Sequence, residues 1–150
     1  MKSIVSLVIA AAAVSLVAPA QAQFAKPEDA IKYRRAALTV MSAHFGRVAA
    51  MANGRVPFDA AAVASNAAVA ESVSKLPYAA FIEGSDKGDT KARPEVWTDN
   101  AKFRAAAEKM QGEMAKLAVV AKAGNIDAIK TQAGATGGAC KACHDDFRNE

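Results

Sequence analysis

The chain has 150 residues, is 52% hydrophobic and 23% charged, and carries a formal net charge of +4, which makes one domain with a real core the default and leaves too little chain for two. Its 19 basic residues form no run interleaved with aromatics, so the sequence has no nucleic-acid footprint. Its two cysteines are no disulfide framework, because a bridge across a two-residue gap constrains almost no chain entropy.

The first 22 residues, MKSIVSLVIAAAAVSLVAPAQA, combine Lys2, an apolar run from Ile4 to about Ala18, and small residues at Ala20 and Ala22 that fit an A-x-A cleavage site. This reads as a signal peptide cleaved after Ala22 or Ala20, leaving residues 23–150 as one exported domain with no membrane segment. An uncleaved anchor is the competing reading, and the run is short for a bilayer span.

From Ala25 onward alanine is abundant and the helix breakers cluster at Asn53, Gly54 and Pro57, at Pro77 to Pro94, and at Gly124 and Asn125. That spacing predicts four helices. The first runs from about Pro27 to Ala50, with Pro27 suited to the first turn and Glu28 and Asp29 favourable at the positive end of the helix dipole. Its apolar seam is Ile31, Arg34, Leu38, Met41, Phe45 and Val48. The second starts at Asp59, a capping residue, and ends at Leu76 before Pro77, with Val63, Ala67, Ala70 and Ser74 as its stripe.

A third helix opens at Pro94 or Glu95, carries Val96, Phe103, Ala107, Met110, Met114, Leu117 and Ala121, and stops at Gly124. The fourth runs from about Asn125 to the end with the seam Ile126, Ile129, Ala133, Thr136, Cys140, Cys143 and Phe147. Four such segments predict an all-α fold, an antiparallel up-down four-helix bundle, which holds cofactors between facing helices. Gly134, Gly137 and Gly138 weaken the last helix, which suits close approach of a flat group to the backbone; a frayed loop is the alternative.

The last eleven residues, CKACHDDFRNE, contain both cysteines and His144. C-x-x-C-H is the attachment signature of haem c, with Cys140 and Cys143 as thioethers and His144 as the axial iron ligand. On a helix the two sulfurs and the imidazole lie within one turn of each other along one edge. A thioredoxin-like redox pair wants a βαβ context, and a zinc site wants a second Cys/His pair; the sequence offers neither.

With that motif at the extreme C-terminus, the helical layout and the stretches QFAKPEDAIKYRRAALTVMSAHFGR and ARPEVW resemble bacterial cytochrome c′, the bundle class of c-type cytochromes, over the whole mature chain. The resemblance implies one covalent haem c per chain, a homodimer, a periplasmic location and a five-coordinate high-spin iron that binds NO and CO or carries electrons for an unknown redox partner. It places Leu38 in the distal pocket over the free iron face, Arg34 on a haem propionate, and Arg148 near the proximal face, where a solvated last-turn cation is the other reading. Arg35 stands where the family has Gln, and the loop FIEGSDKGDTKARPE is longer than the family's, so haem contacts from Arg35 and Asp89 do not carry over.

His44 lies one residue before the seam, about 100° around the helix, and reads as a surface or dimer-contact histidine; Met41, Met110 and Met114 read as core filler. Tyr78, Phe81 and Trp97 read as core aromatics that also suit the haem edge. The function expected is gas binding without catalysis. The alternative is a six-coordinate, low-spin electron carrier on the same bundle. A peroxidase wants a distal acid-base residue, which an apolar Leu38 does not supply.

Overall fold

A computed structural model describes residues 23–150, and the signal-peptide reading of residues 1–22 lies outside the described residues. Five α-helices and a 3-10 turn follow in order: α1 Pro27–Ala52, α2 Ala60–Val73, the turn Leu76–Ala80, α3 Glu95–Thr98, α4 Asn100–Ala123 and α5 Ile126–Phe147. The four long helices pack as a closed ring in which α1 meets α2, α2 meets α4, α4 meets α5 and α5 returns to α1. This is the predicted up-down bundle.

The local chemistry explains most of the boundaries. Pro27 opens α1, and the C-terminal turn is closed by Asn53, whose backbone N–H and side-chain amide both donate to the Ala49 carbonyl at 3.0 and 2.8 Å. Asp59 caps α2 by accepting from the Ala62 N–H at 3.0 Å. Gly124 ends α4 in the left-handed region at φ 73°, and Asn125 at once caps α5 through the Ala128 N–H at 2.9 Å.

Two helix boundaries differ from the prediction. The second helix stops at Val73, not Leu76, because Pro77 has no N–H to donate to the Val73 carbonyl; the chain tightens instead into the 3-10 turn. The third is two pieces, broken at Asp99. There the Thr98 hydroxyl donates to the Pro94 carbonyl and the Asn100 amide to the Val96 carbonyl, so side chains compete for oxygens that a continuous helix would use.

The predicted seams form the core with one exception: Ile126 is 42% exposed, at the helix end beyond the bundle interior. Gly134, Gly137 and Gly138 sit in unbroken helix. Gly134 and Gly138 face outward, so only Gly137, whose missing Cβ would lie 3.8 Å from the Phe45 ring, leaves room on the inner side. The core itself divides in two. A long aliphatic cluster built on Val48, Val63, Met114, Leu117 and Ile129 fills the bundle, and a smaller one built on Val96, Phe103 and Phe147 closes the end that bears the chain's C-terminus.

With only 14 residues, α2 ends short of its neighbours, so that end of the bundle is completed by the 3-10 turn and the 81–94 loop. Replacing Asp59 with Ala is expected to lower unfolding free energy by about 1 kcal/mol through loss of the α2 cap. Denaturant unfolding measures this, and an unchanged midpoint would show that the cap contributes nothing.

Candidate functional site

The site grows from the last two turns of α5. Cys140 and Cys143, both free and half-buried, are separated by one turn and take different surroundings. Cys140 packs on the long aliphatic cluster, together with Leu38 and Phe45. Cys143 packs on the aromatic cluster of Phe103 and Phe147. Burial pushes both thiols up, and at Cys143 the neighbouring Cys140 and Asp146 push further. These sulfurs are therefore protonated and apolar in setting, unlike the electropositive surroundings of a reactive thiolate.

His144 follows on the outer edge. Its ring is exposed in a surface groove of about 400 Å³ lined by Arg93, Asp145, Arg148 and the chain terminus. Partial desolvation first, then Arg148, hold its pKa below the ordinary histidine value against an opposing pull from Asp145. The neutral imidazole, the form that binds metals, is thereby favoured. Among the described residues no three His, Cys, Asp or Glu side chains gather as a metal-binding group. A haem bound here would have its iron ligated by His144 and would be tethered through Cys140 and Cys143.

Arg34 provides an independent test of fit. It is 2% exposed, and its terminal N–H groups donate to Ala80 O (3.1 Å), Ser85 Oγ (2.7 Å), Ser85 O (2.6 Å) and Thr90 Oγ1 (2.8 Å). The guanidinium lies 4.5 Å from the Phe81 ring centroid and 5.6 Å from that of Trp97. Burial pushes its pKa down to about 10, still cationic at neutral pH. Every partner is neutral, so the structure buries a full positive charge without a counter-anion, an arrangement that costs free energy until an anion arrives. A haem propionate is such an anion, and Arg34 has the Nε–H left to offer.

Leu38 is half-buried on α1 and packs on the same cluster as Cys140, on the interior side of the motif. Arg148 caps α5, lines the His144 groove, and is tied by a β-bridge to Ala92. Arg35 pairs with the Asp89 carboxylate at the surface, which gives both side chains a partner within the protein. His44 is engaged across the bundle with Asn66 at 2.8 Å, and Met41, Met110 and Met114 are core.

The sequence did not reveal Ser85 and Thr90 as the acceptors of Arg34, nor Arg93 beside His144, where its guanidinium donates to the Asp145 carbonyl at 3.3 Å. These contacts join segments more than fifty residues apart through a loop without periodicity. The only signal available was the need of a seam arginine for partners. Tyr78, Phe81 and Trp97 do gather at this end, and Trp97 Nε1 donates to the Ile82 carbonyl at 3.0 Å.

The family model for Cytochrome C' matches residues 29–148. Cytochrome c' of Rubrivivax gelatinosus is 52% identical over 129 residues, covering 85% of this chain and all of the relative, and that of Alcaligenes xylosoxydans xylosoxydans is 46% identical over 128 residues, covering 85% and 99%. The crystal structure of the Rubrivivax protein superposes with a TM-score of 0.82 over 85% of this chain and 100% of the other. A nitric oxide complex of a leucine-to-alanine mutant of cytochrome c prime from Alcaligenes xylosoxidans gives 0.80 at 44% identity, over 85% and 99%.

Acidified acetone is expected to extract no pigment from the native protein and all of it from the Cys140→Ala/Cys143→Ala double variant, with each single variant keeping one covalent attachment. Pigment released from the native chain would contradict the assignment of the sulfurs.

Proposed function

Because the chain belongs to the cytochrome c′ family and carries one covalent haem c, we propose that it is an exported, non-enzymatic gas-binding protein in which His144 alone holds the iron, leaving the opposite side free for NO or CO. The haem supplies an iron with one open coordination position and a one-electron couple. Everything else follows from how the protein's own residues are disposed around the motif.

The observation that carries the reading is sidedness. His144 stands at the solvent edge, Cys140 packs on the aliphatic core, and Cys143 lies between the aromatic cluster and a surface groove that also holds Lys102, Lys109 and Asp146. The interior side is therefore opposite the imidazole, and it is walled by Leu38, Tyr78 and Phe103. None of these is a neutral-pH iron ligand of the histidine or methionine type. His44 is held by Asn66, and Met110 and Met114 are 2% and 1% exposed within the packed core. Leu38 excludes water and charged molecules by its apolar surface and yields only to a small neutral ligand. It has no proton to give, which separates this site from a peroxidase.

Arg34 holds the 81–94 loop across the end of the bundle and presents the positive charge that suits a propionate. Arg148, beside His144, adds a cation on the outer side. The nitric oxide complexes of the Alcaligenes relative support the same ligand class for this chain. A periplasmic location is supported by the export signal in residues 1–22 and by a described region in which no helix is long and apolar enough to cross a membrane. The homodimer is supported by the small-residue outer face of α1, where Ala36, Val40 and Ala43 are exposed.

The oxidised protein is expected to show a high-spin absorption spectrum at neutral pH, and the dithionite-reduced protein to take up CO. Leu38→Ala is expected to speed CO binding by about tenfold, the equivalent of about 1.4 kcal/mol, because the apolar side chain no longer has to move. A low-spin spectrum without added ligand and no CO uptake would favour the six-coordinate electron carrier instead.

A further inference from the structure

Tyr78 occupies a position that the gas-binding reading does not yet use. It sits in the 3-10 turn beyond α2 and, among the described residues, is the one partly buried side chain packed against both apolar clusters, the one bearing Cys140 and the one bearing Cys143. Its ring is held 6.1 Å from Phe81 and 5.8 Å from Phe103, centroid to centroid. It thus meets the haem motif from the interior side, across from the exposed His144.

No hydrogen bond to a described residue engages the hydroxyl at the tip of that ring, and it is not among the enclosed polar atoms. The terminal N–H groups of Arg34 are occupied by Ala80, Ser85 and Thr90, and Trp97 Nε1 by Ile82. One turn upstream, the Ser74 Oγ is fully buried and also lacks a partner. Tyr78 is only partly buried and its hydroxyl is not enclosed, so it is free to donate to a group that enters the space beside it. Burial pushes its pKa up, so it stays a donor and does not become a phenolate ligand.

Resting on the reading that the free iron position faces the interior, we propose that the Tyr78 hydroxyl donates a hydrogen bond to the diatomic ligand bound there and so governs how long it stays. Leu38 and Tyr78 then divide the work. Leu38 obstructs entry and acts on association; Tyr78 stabilises the bound ligand and acts on release.

The test uses the haem-loaded mature protein and Tyr78→Phe, with CO as the probe, by infrared spectroscopy in H2O and D2O and by ligand-exchange kinetics. The native C–O stretch is expected to shift in D2O and to move to higher wavenumber in Tyr78→Phe. CO release from the variant is expected to be about fivefold faster, equivalent to about 1 kcal/mol, with association unchanged.

A stretch insensitive to D2O, together with identical release rates, would overturn the proposal while leaving the gas-binding reading intact. An unchanged stretch with a shifted reduction potential would also overturn it, by assigning the hydroxyl to a haem carboxylate. A native protein that takes up no CO would remove both readings. Circular dichroism and haem content check that the variant is folded, and should it fail to fold, the D2O response of the native protein decides alone.

Discussion

The last two turns of one helix impose the constraint on which the rest depends. Helical periodicity sets Cys140, Cys143 and His144 about one turn from one another, and the packing of α5 against α4 and α1 sets Cys140 on the core and Cys143 at its margin while the imidazole stays at the edge. A covalently held group therefore has an inside and an outside that are chemically different. Outside are Arg93, Asp145 and Arg148, polar and open to water. Inside are Leu38, Phe103 and Tyr78, apolar except for one hydroxyl.

The end of the bundle that holds this site is also where the fold departs from a plain four-helix design. Because α2 is short, aromatic rings and a loop take the place of its missing turns: Phe81 meets Phe103 at 4.8 Å and Phe103 meets Phe147 at 5.3 Å, both edge to face. Arg34 fixes that loop from within, and the chain terminus fixes it from outside through the Arg93 N–H on Phe147 O and the Asn149 N–H on Lys91 O. A buried cation among neutral oxygens is a poor way to stabilise an isolated loop. A haem carboxylate would supply the missing counter-charge under the proposed reading.

Much of this was legible in the residues. The seams from Ile31 to Val48 and from Val96 to Ala121 follow from helical spacing, and Asp59, Gly124 and Asn125 mark the start of α2, the end of α4 and the start of α5 because each satisfies or reverses a helix end by a local rule. The motif was legible because its chemistry is contained in five consecutive residues. The break at Asp99 left one trace in the pattern, the polar Asn100 interrupting the seam, while Val96 and Phe103 stay in register across it and suggest one helix. The acceptors of Arg34 were hidden because the pairing of Ser85 and Thr90 with α1 depends on the path of a loop, which periodicity does not encode. Gly134 and Gly138 misled for a related reason: their composition suggested close approach, while their helix phase turns them to solvent.

One-sided ligation is most directly examined by resonance Raman spectroscopy of the reduced, ligand-free protein. An iron held only by His144 gives a distinct iron–histidine stretching band together with five-coordinate marker bands, and the band disappears in His144→Gly. Six-coordinate low-spin marker bands with no iron–histidine stretch in the native protein would mean that a second side chain reaches the iron from the interior, and the division into an outer ligand and a free inner side would be wrong.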